Sequence, residues 1–132
     1  MSSLKIKVSQ PSIRILKLSL IGVLDVNTSK QFSSAIENNI TANIEIIILD
    51  LNELSYISSA GLRVFFQLKK ICKQQNITLY VINPQPQVQK VFSIVKVMPL
   101  SSIFTSIEEL DEYLDSIQKK IISEQQAQED QD

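Results

Sequence analysis

The chain has no histidine, no tryptophan, one cysteine and only two glycines. Without histidine, the Ser-His-Asp and Cys-His arrangements of nucleophilic catalysis are excluded. One cysteine without histidine cannot supply the ligands of a zinc site of the His and Cys type. Gly22 and Gly61 are too few and too far apart for a GxGxxG loop or a P-loop. The composition still allows a hydrolase that uses only carboxylates, but no spacing suggests one. We therefore expect a protein that is not an enzyme and that holds neither a cofactor nor a metal.

Charge and hydropathy limit the partners and the cellular location that we expect for this protein. The 132 residues carry a formal net charge of -1, which does not suggest a nucleic-acid partner. The N-terminal stretch "MSSLKIKVSQ" lacks the apolar core of a signal peptide, and no apolar run approaches the roughly 20 residues of a membrane span. Cys72 is the sole cysteine, which suits a reducing compartment. We expect a cytoplasmic protein that neither binds nucleic acid nor inserts into a membrane.

Hydrophobic periodicity predicts strands and helices in alternation. The stretches "LKIKVSQ" and "IRILKLSLIGVL" alternate with period two, which predicts strands over residues 4–8 and 13–21. The apolar runs "IEIIILDL" and "ITLYVIN" are typical of strands buried on both faces of a parallel sheet. "SIFT" predicts a short fifth strand. Helical spacing predicts helices over residues 28–39, 59–75 and 86–95, and a final helix that begins near Ser106.

The order of these elements predicts an α/β fold with a mixed sheet of about five strands packed against about four helices. Capping-box spacing at Thr28 with Gln31, and at Ser106 with Glu109, marks two of the helix starts. The polar, acidic residues 123–132 predict a disordered tail after a domain of residues 1–122.

The stretch "DLNELSYISSAGLRVFF" joins a predicted strand to a predicted helix. We expect Asp50 to end the strand and Ser58 or Ser59 to cap the helix, a contribution of about 1 kcal/mol. Gly61 would allow a close approach of the helix to its surroundings. The start of a helix also tolerates negative charge, so a serine there could carry a phosphate without unfolding the domain. The residues leave both interpretations open, a plain capped helix and a phosphorylated loop.

A projection of this helix at about 100° per residue separates two sides. One side should face the sheet and consists of Gly61, Val64, Phe65, Leu68, Ile71 and Cys72. Leu62 and Phe66 fall on the opposite side beside Lys69 and Lys73, with Arg63 close by. Two exposed apolar side chains with a cationic rim predict a docking patch. The alternative is that another helix, such as the acidic C-terminal one, covers them.

At these residues the sequence resembles the STAS domain family and, within it, the bacterial anti-sigma-factor antagonists. The resemblance covers about residues 4–117 and is carried by "GVLDVNTSKQF", "IIILDLNELSYISSAGLRVFF" and "VFSIVKVMPLSSIFTSIEEL". It implies a protein that binds an anti-sigma-factor serine kinase while unphosphorylated and thereby releases the sigma factor. Phosphorylation of a loop serine by the kinase would then end the complex, and a serine phosphatase would reverse the modification.

Matched by position, the resemblance implies that Ser59 is the phosphorylated residue, with Ser58 as the second choice. Ser58 stands where many phosphorylated members have Asp, and Ala60 stands where Ser or Thr is frequent. Asp50 matches a family acid near the same edge. The alternative is a constitutive STAS scaffold, in a lipid-transport or stress-signalling complex, without phosphorylation. The expected partner-binding residues are Asp25, Ser58, Ser59, Gly61, Leu62, Arg63, Phe66 and Lys69.

Overall fold

The computed structural model describes residues 2–97 and 106–131. Within these ranges four strands and four helices follow one another in the predicted order. The predicted fifth strand, residues 102–105, lies outside the described residues. The elements are β1 (Leu4–Ser12), β2 (Ile15–Leu24), α1 (Ser29–Asn39), β3 (Ile46–Ile57), α2 (Ser59–Gln74), β4 (Thr78–Ile82), α3 (Pro86–Val97) and α4 (Ile107–Gln131).

The four strands form one mixed sheet, as predicted, in the order β1-β2-β3-β4. β1 pairs with β2 antiparallel, whereas β2 with β3 and β3 with β4 are parallel pairs. Parallel neighbours need crossover connections, and α1 and α2 provide them. The carboxyl ends of β2 and β3 consequently meet at one edge, where Leu24 pairs with Ile57.

The hydrophobic core lies on one face of the sheet. Along β3, Ile47, Leu49 and Leu51 are buried, whereas Ile46 and Ile48 are only partly buried. The prediction that β3 is buried on both faces is therefore wrong. Side chains alternate across a strand, so a continuous apolar run also fits a sheet with one buried and one half-exposed face.

β3 is also longer than predicted. It continues seven residues beyond Asp50 to Ile57, because β2 runs on beside it to Leu24 and supplies the backbone partners. Asp50 thus lies within the strand, 3.7 Å from the Lys17 ammonium, and its carboxylate accepts a hydrogen bond from the Asn52 N–H at 3.0 Å. The predictions that Asp50 ends the strand and lies at the edge that carries Ser59 are both wrong.

Two of the predicted helix features differ in the structure. The Thr28–Gln31 capping box does not form, because the Thr28 hydroxyl donates to the Val23 carbonyl and the Gln31 amide donates to the Leu4 carbonyl. The last helix, α4, runs on to Gln131, through most of the segment for which the composition predicts disorder. The division into a domain and a tail stays a prediction. No helix in the described ranges is both long and apolar enough to cross a membrane.

Candidate functional site

Ser58 is the residue that turns β3 into α2. Its backbone N–H donates to the Leu24 carbonyl at 2.9 Å and extends the pairing of β3 with β2 by one bond. Its backbone is extended, and its carbonyl accepts the first bond of the helix from the Leu62 N–H at 2.9 Å. The Ser58 hydroxyl accepts a long hydrogen bond, 3.4 Å, from the Gly61 N–H. Of the two candidate caps, Ser58 is therefore the N-cap.

Ser59 is the first residue of α2 and the more accessible of the two serines. It is partly exposed, whereas Ser58 is 8% exposed. Its N–H donates to a carboxylate oxygen of Asp111 in α4 at 2.9 Å. Ser59 thus lies at the start of a helix, and its backbone contacts an acid from a distant part of the chain.

Gly61 lets α2 begin directly on the strand ends. A Cβ at this position would lie 2.7 Å from Cγ of Leu24 and 3.0 Å from Cγ1 of Ile57, both closer than carbon atoms pack. These are the two residues that pair at the carboxyl ends of β2 and β3. The predicted reason for Gly61, a close approach of the helix, is confirmed.

Asp25 organises the neighbouring turn from β2 into α1. Its carboxylate accepts hydrogen bonds from the Asn27 N–H at 2.9 Å and from the Ser2 hydroxyl, and its own N–H donates to the Thr28 hydroxyl at 3.0 Å. These bonds hold Asp25 at the edge where β2 and β3 end. These contacts show that Asp25 stabilises the local turn. Its role in partner binding stays a prediction.

Three side chains of α4, which we call the α4 clamp, hold the junction between β3 and α2. They are Asp111, Asp115 and Gln118. Gln118 is fully buried, and its side-chain amide accepts from the Ile57 N–H at 3.0 Å and donates to the Ile57 carbonyl at 2.8 Å. The Tyr56 hydroxyl donates to Asp115 at 2.8 Å, and Asp111 accepts the Ser59 N–H. The clamp therefore binds three of the four residues from position 56 to position 59.

The α4 clamp was not predicted from the sequence, although the spacing of its three residues is visible there. The three residues recur at i, i+4 and i+7, which places them on one side of a helix. Leu114, in the same stretch of helix, is fully buried. Polar side chains beside a buried leucine could have been recognised as a polar contact between α4 and the rest of the domain. The spacing does not show which residues the clamp binds. The partner of Gln118 is Ile57, which lies 61 residues away along the chain.

The electrostatics of the clamp favour a protonated tyrosine beside an ionised carboxylate. Burial raises the pKa of Tyr56, and so do its hydrogen bond to Asp115 and the charges of Asp115, Asp111 and Asp25. The pKa of Asp115 is lowered, mainly by its hydrogen bond to Lys119 at 2.9 Å and also by that from Tyr56, against the opposite effect of burial. The negative charges of three carboxylates thus act on the tyrosine close to the start of α2.

We expect Tyr56→Phe to make stability less dependent on alkaline pH. The folded protein holds the raised pKa, so the contribution of Tyr56 is complete below the ordinary tyrosine pKa of about 10 and is lost as the pH rises above it. Urea unfolding at neutral pH should show a loss of about 1 kcal/mol in the variant. Above about pH 10 the difference between variant and wild type should shrink. Tyr80→Phe, at an exposed tyrosine of β4, is the control, and equal behaviour of both variants would contradict the prediction.

The exposed side of α2 differs from its projection at one residue. Leu62, expected to be exposed, is 2% exposed and belongs to the hydrophobic core. The helix contacts α1 as well as α4, so its buried arc is wider than a single sheet-facing stripe. Phe66 is 43% exposed, and Arg63 and Lys69 are exposed, as expected. The predicted patch thus keeps its aromatic residue and its cations and loses Leu62.

One accessible face of α2 brings together the hydroxyl, the ring and two cations. Ser59, Arg63, Phe66 and Lys70 follow each other at i, i+4, i+7 and i+11, and each is at least partly exposed. In the described part of the chain, a groove of about 660 Å³ runs beside Phe66 between α2 and α3. The same part of the chain contains no group of three His, Cys, Asp or Glu side chains that could hold a metal ion.

Comparison with known proteins identifies a relative with a named role. The chain is 30% identical over 89 residues to BtrV of Bordetella bronchiseptica, which is named as an anti-sigma factor antagonist. The match covers 67% of this chain and 77% of the relative.

Solved structures share the fold at low sequence identity. SpoIIAA of Bacillus is similar in its unphosphorylated form (TM-score 0.59, 20% identity, 75% of this chain and 93% of that one) and in its phosphorylated form (0.60, 19%, 75% and 96%). An anti-sigma factor antagonist from Mycobacterium paratuberculosis is similar too (0.64, 17%, 87% and 94%). Mglu is a longer protein, of which this chain spans 20% (0.54, 18%, 61% of this chain).

The family itself is shown by the sequence. The family model of the STAS domain matches residues 6–110, a range that runs from β1 into the first turn of α4 and includes β3, Ser58, Ser59 and α2. The mixed sheet and the helix that starts at Ser59 agree with this match. The chain belongs to the STAS domain family.

Proposed function

We propose that this protein is a non-enzymatic switch, an anti-sigma factor antagonist that binds an anti-sigma-factor serine kinase in the cytoplasm and binds no nucleic acid. Phosphorylation of Ser59 releases it, and a serine phosphatase restores it. The observation that carries the proposal is the partly exposed Ser59 on the same face of α2 as exposed Arg63 and Phe66. The name of the relative BtrV and the fold shared with SpoIIAA support the same role.

The accessible face of α2 has the chemistry of a protein-binding surface. Phe66 supplies an aromatic anchor, and its ring makes an edge contact with Phe65 at a centroid distance of 5.9 Å, which holds it in place. Arg63 and Lys69 supply positive charge beside it, which favours an acidic region of the partner and speeds association. Apolar contact at the centre with charge at the rim is the usual anatomy of such an interface.

Phosphate on Ser59 would work against that contact. It adds a charge of about −1.5 to −2 at neutral pH. Charge that is buried in an interface without a partner costs roughly 3–5 kcal/mol, which weakens binding by a factor of about a hundred or more. Ser58 is a poorer acceptor, because its hydroxyl is buried and serves the N-cap. The exposure of the two residues therefore favours Ser59.

The test is phosphorylation by the cognate kinase. We expect wild-type protein with kinase and ATP to shift on a phosphate-affinity gel, and Ser59→Ala to show no shift. Isothermal titration should show that the phosphorylated protein binds the kinase at least about a hundredfold more weakly than the unphosphorylated one.

Two variants serve as controls in the same assays. Ser58→Ala should still be phosphorylated, although loss of its cap costs about 1 kcal/mol of stability. Phe66→Asp should bind the kinase at least about tenfold more weakly and keep its thermal stability, because the side chain is exposed. A shift that persists in Ser59→Ala would contradict the assignment of Ser59. No shift with any partner kinase would favour the constitutive STAS scaffold instead.

A further inference from the structure

The start of α2 already binds an anion, which is carried by α4. The first N–H groups of a helix have no partner within the helix, and the helix dipole favours negative charge beside them. Asp111 accepts one of these groups, the Ser59 N–H, at 2.9 Å. Asp111 is the N-terminal residue of the α4 clamp. Gln118, its C-terminal residue, is fully buried and binds Ile57.

A phosphate on Ser59 would compete with Asp111 for the Ser59 N–H. It would be attached to the very residue whose N–H the Asp111 carboxylate accepts, and phosphate is a strong ligand of helix N-termini. Arg63, exposed one turn further along α2, offers the phosphate a cation. Among the residues that the structure describes, Asp111 forms no ion pair with a cation, and the two anions would repel each other at close range.

We propose that phosphorylation of Ser59 displaces Asp111 and loosens the first turns of α4 from the junction of β3 and α2. This inference rests on the proposed function, because it concerns the same serine. Gln118 keeps the middle of α4 in place through its two bonds to Ile57. The phosphorylated protein therefore differs from the unphosphorylated one in charge and in the surface that residues 107–115 present beside Ser59.

The experiment places phosphoserine at position 59 during synthesis by codon suppression, so no kinase is needed. Hydrogen–deuterium exchange resolved by NMR then compares this protein with the wild type. We expect the amides of residues 110–115 to exchange about tenfold faster with phosphoserine, the size of effect expected when one charge-assisted contact is lost. Amides in the middle of β3, residues 47–49, should exchange at unchanged rates.

Two variants with the same change of charge test the mechanism. Asp111→Asn keeps an oxygen that can accept the Ser59 N–H but removes the repulsion, so phosphoserine should accelerate exchange much less in this variant. Glu112→Gln alters an exposed acid of the same helix and should respond like the wild type. Equal exchange with serine and phosphoserine, or an undiminished response in Asp111→Asn, would overturn the inference. Either result leaves the kinase assays of the proposed function unaffected.

Discussion

Gln118→Leu is expected to lower the free energy of unfolding by about 2–6 kcal/mol. The side chain is fully buried and binds both the N–H and the carbonyl of Ile57, at 3.0 Å and 2.8 Å. Leucine has a similar size but no polar atoms, so both backbone groups would lose their partner in the interior. An unsatisfied buried backbone group costs about 1–3 kcal/mol, and two are created at once.

Urea unfolding measures this effect, and Gln126→Leu is the matched control. Gln126 lies on the same helix and is exposed, so its replacement should change the free energy of unfolding by no more than about 0.5 kcal/mol. The pair separates the buried contact from any general effect of leucine on α4. Similar losses in the two variants would show that the bonds to Ile57 contribute little to stability.

Gly61→Ala is expected to lower the free energy of unfolding by about 1–3 kcal/mol, although alanine is a better helix former than glycine. The new Cβ would lie 2.7 Å from Cγ of Leu24 and 3.0 Å from Cγ1 of Ile57. Both neighbours are almost fully buried, at 1% exposure, and have little room to move. The first turn of α2 must therefore shift away from the strand ends, and Ser59 shifts with it.

A double-mutant cycle with Leu24→Ala tests the steric cause. Leu24→Ala removes the atom closest to the new Cβ and should be destabilising by itself, by about 2–5 kcal/mol. The double variant should be more stable than the sum of the two single effects implies, by about 1 kcal/mol or more. Additive losses would show that the cost of Gly61→Ala does not come from contact with Leu24.

Residues close together in the sequence were enough to predict helix α2 and a serine cap at its start. A serine pair before Gly61 and apolar residues at helical spacing indicated both the N-cap and the buried side of the helix. The structure confirms the cap at Ser58 and the burial of Val64, Phe65 and Leu68. Such predictions succeed because caps and helix faces depend on residues within one or two turns of each other.

The same local reasoning failed where a distant element decides the outcome. β3 continues past Asp50 because β2, earlier in the chain, is long enough to pair with it up to Ile57. Leu62 is buried although a projection of α2 alone places it opposite the sheet, since α1 and α4 also contact this helix. A hydrophobic pattern describes one helix or strand and does not show how many other elements pack against it.

The sequence alone determined the α/β character of this protein, the lack of histidine and a serine cap at the start of α2. The exposure of Ser59 and its surroundings were decided only by the tertiary structure. The sequence predicts that three polar residues share one side of α4, namely Asp111, Asp115 and Gln118. Their spacing does not show that they bind the segment 56–59. Their partners lie between 52 and 61 residues away along the chain. Contacts over such separations depend on the strand order of the sheet and on where α4 packs. Local sequence preferences determine neither.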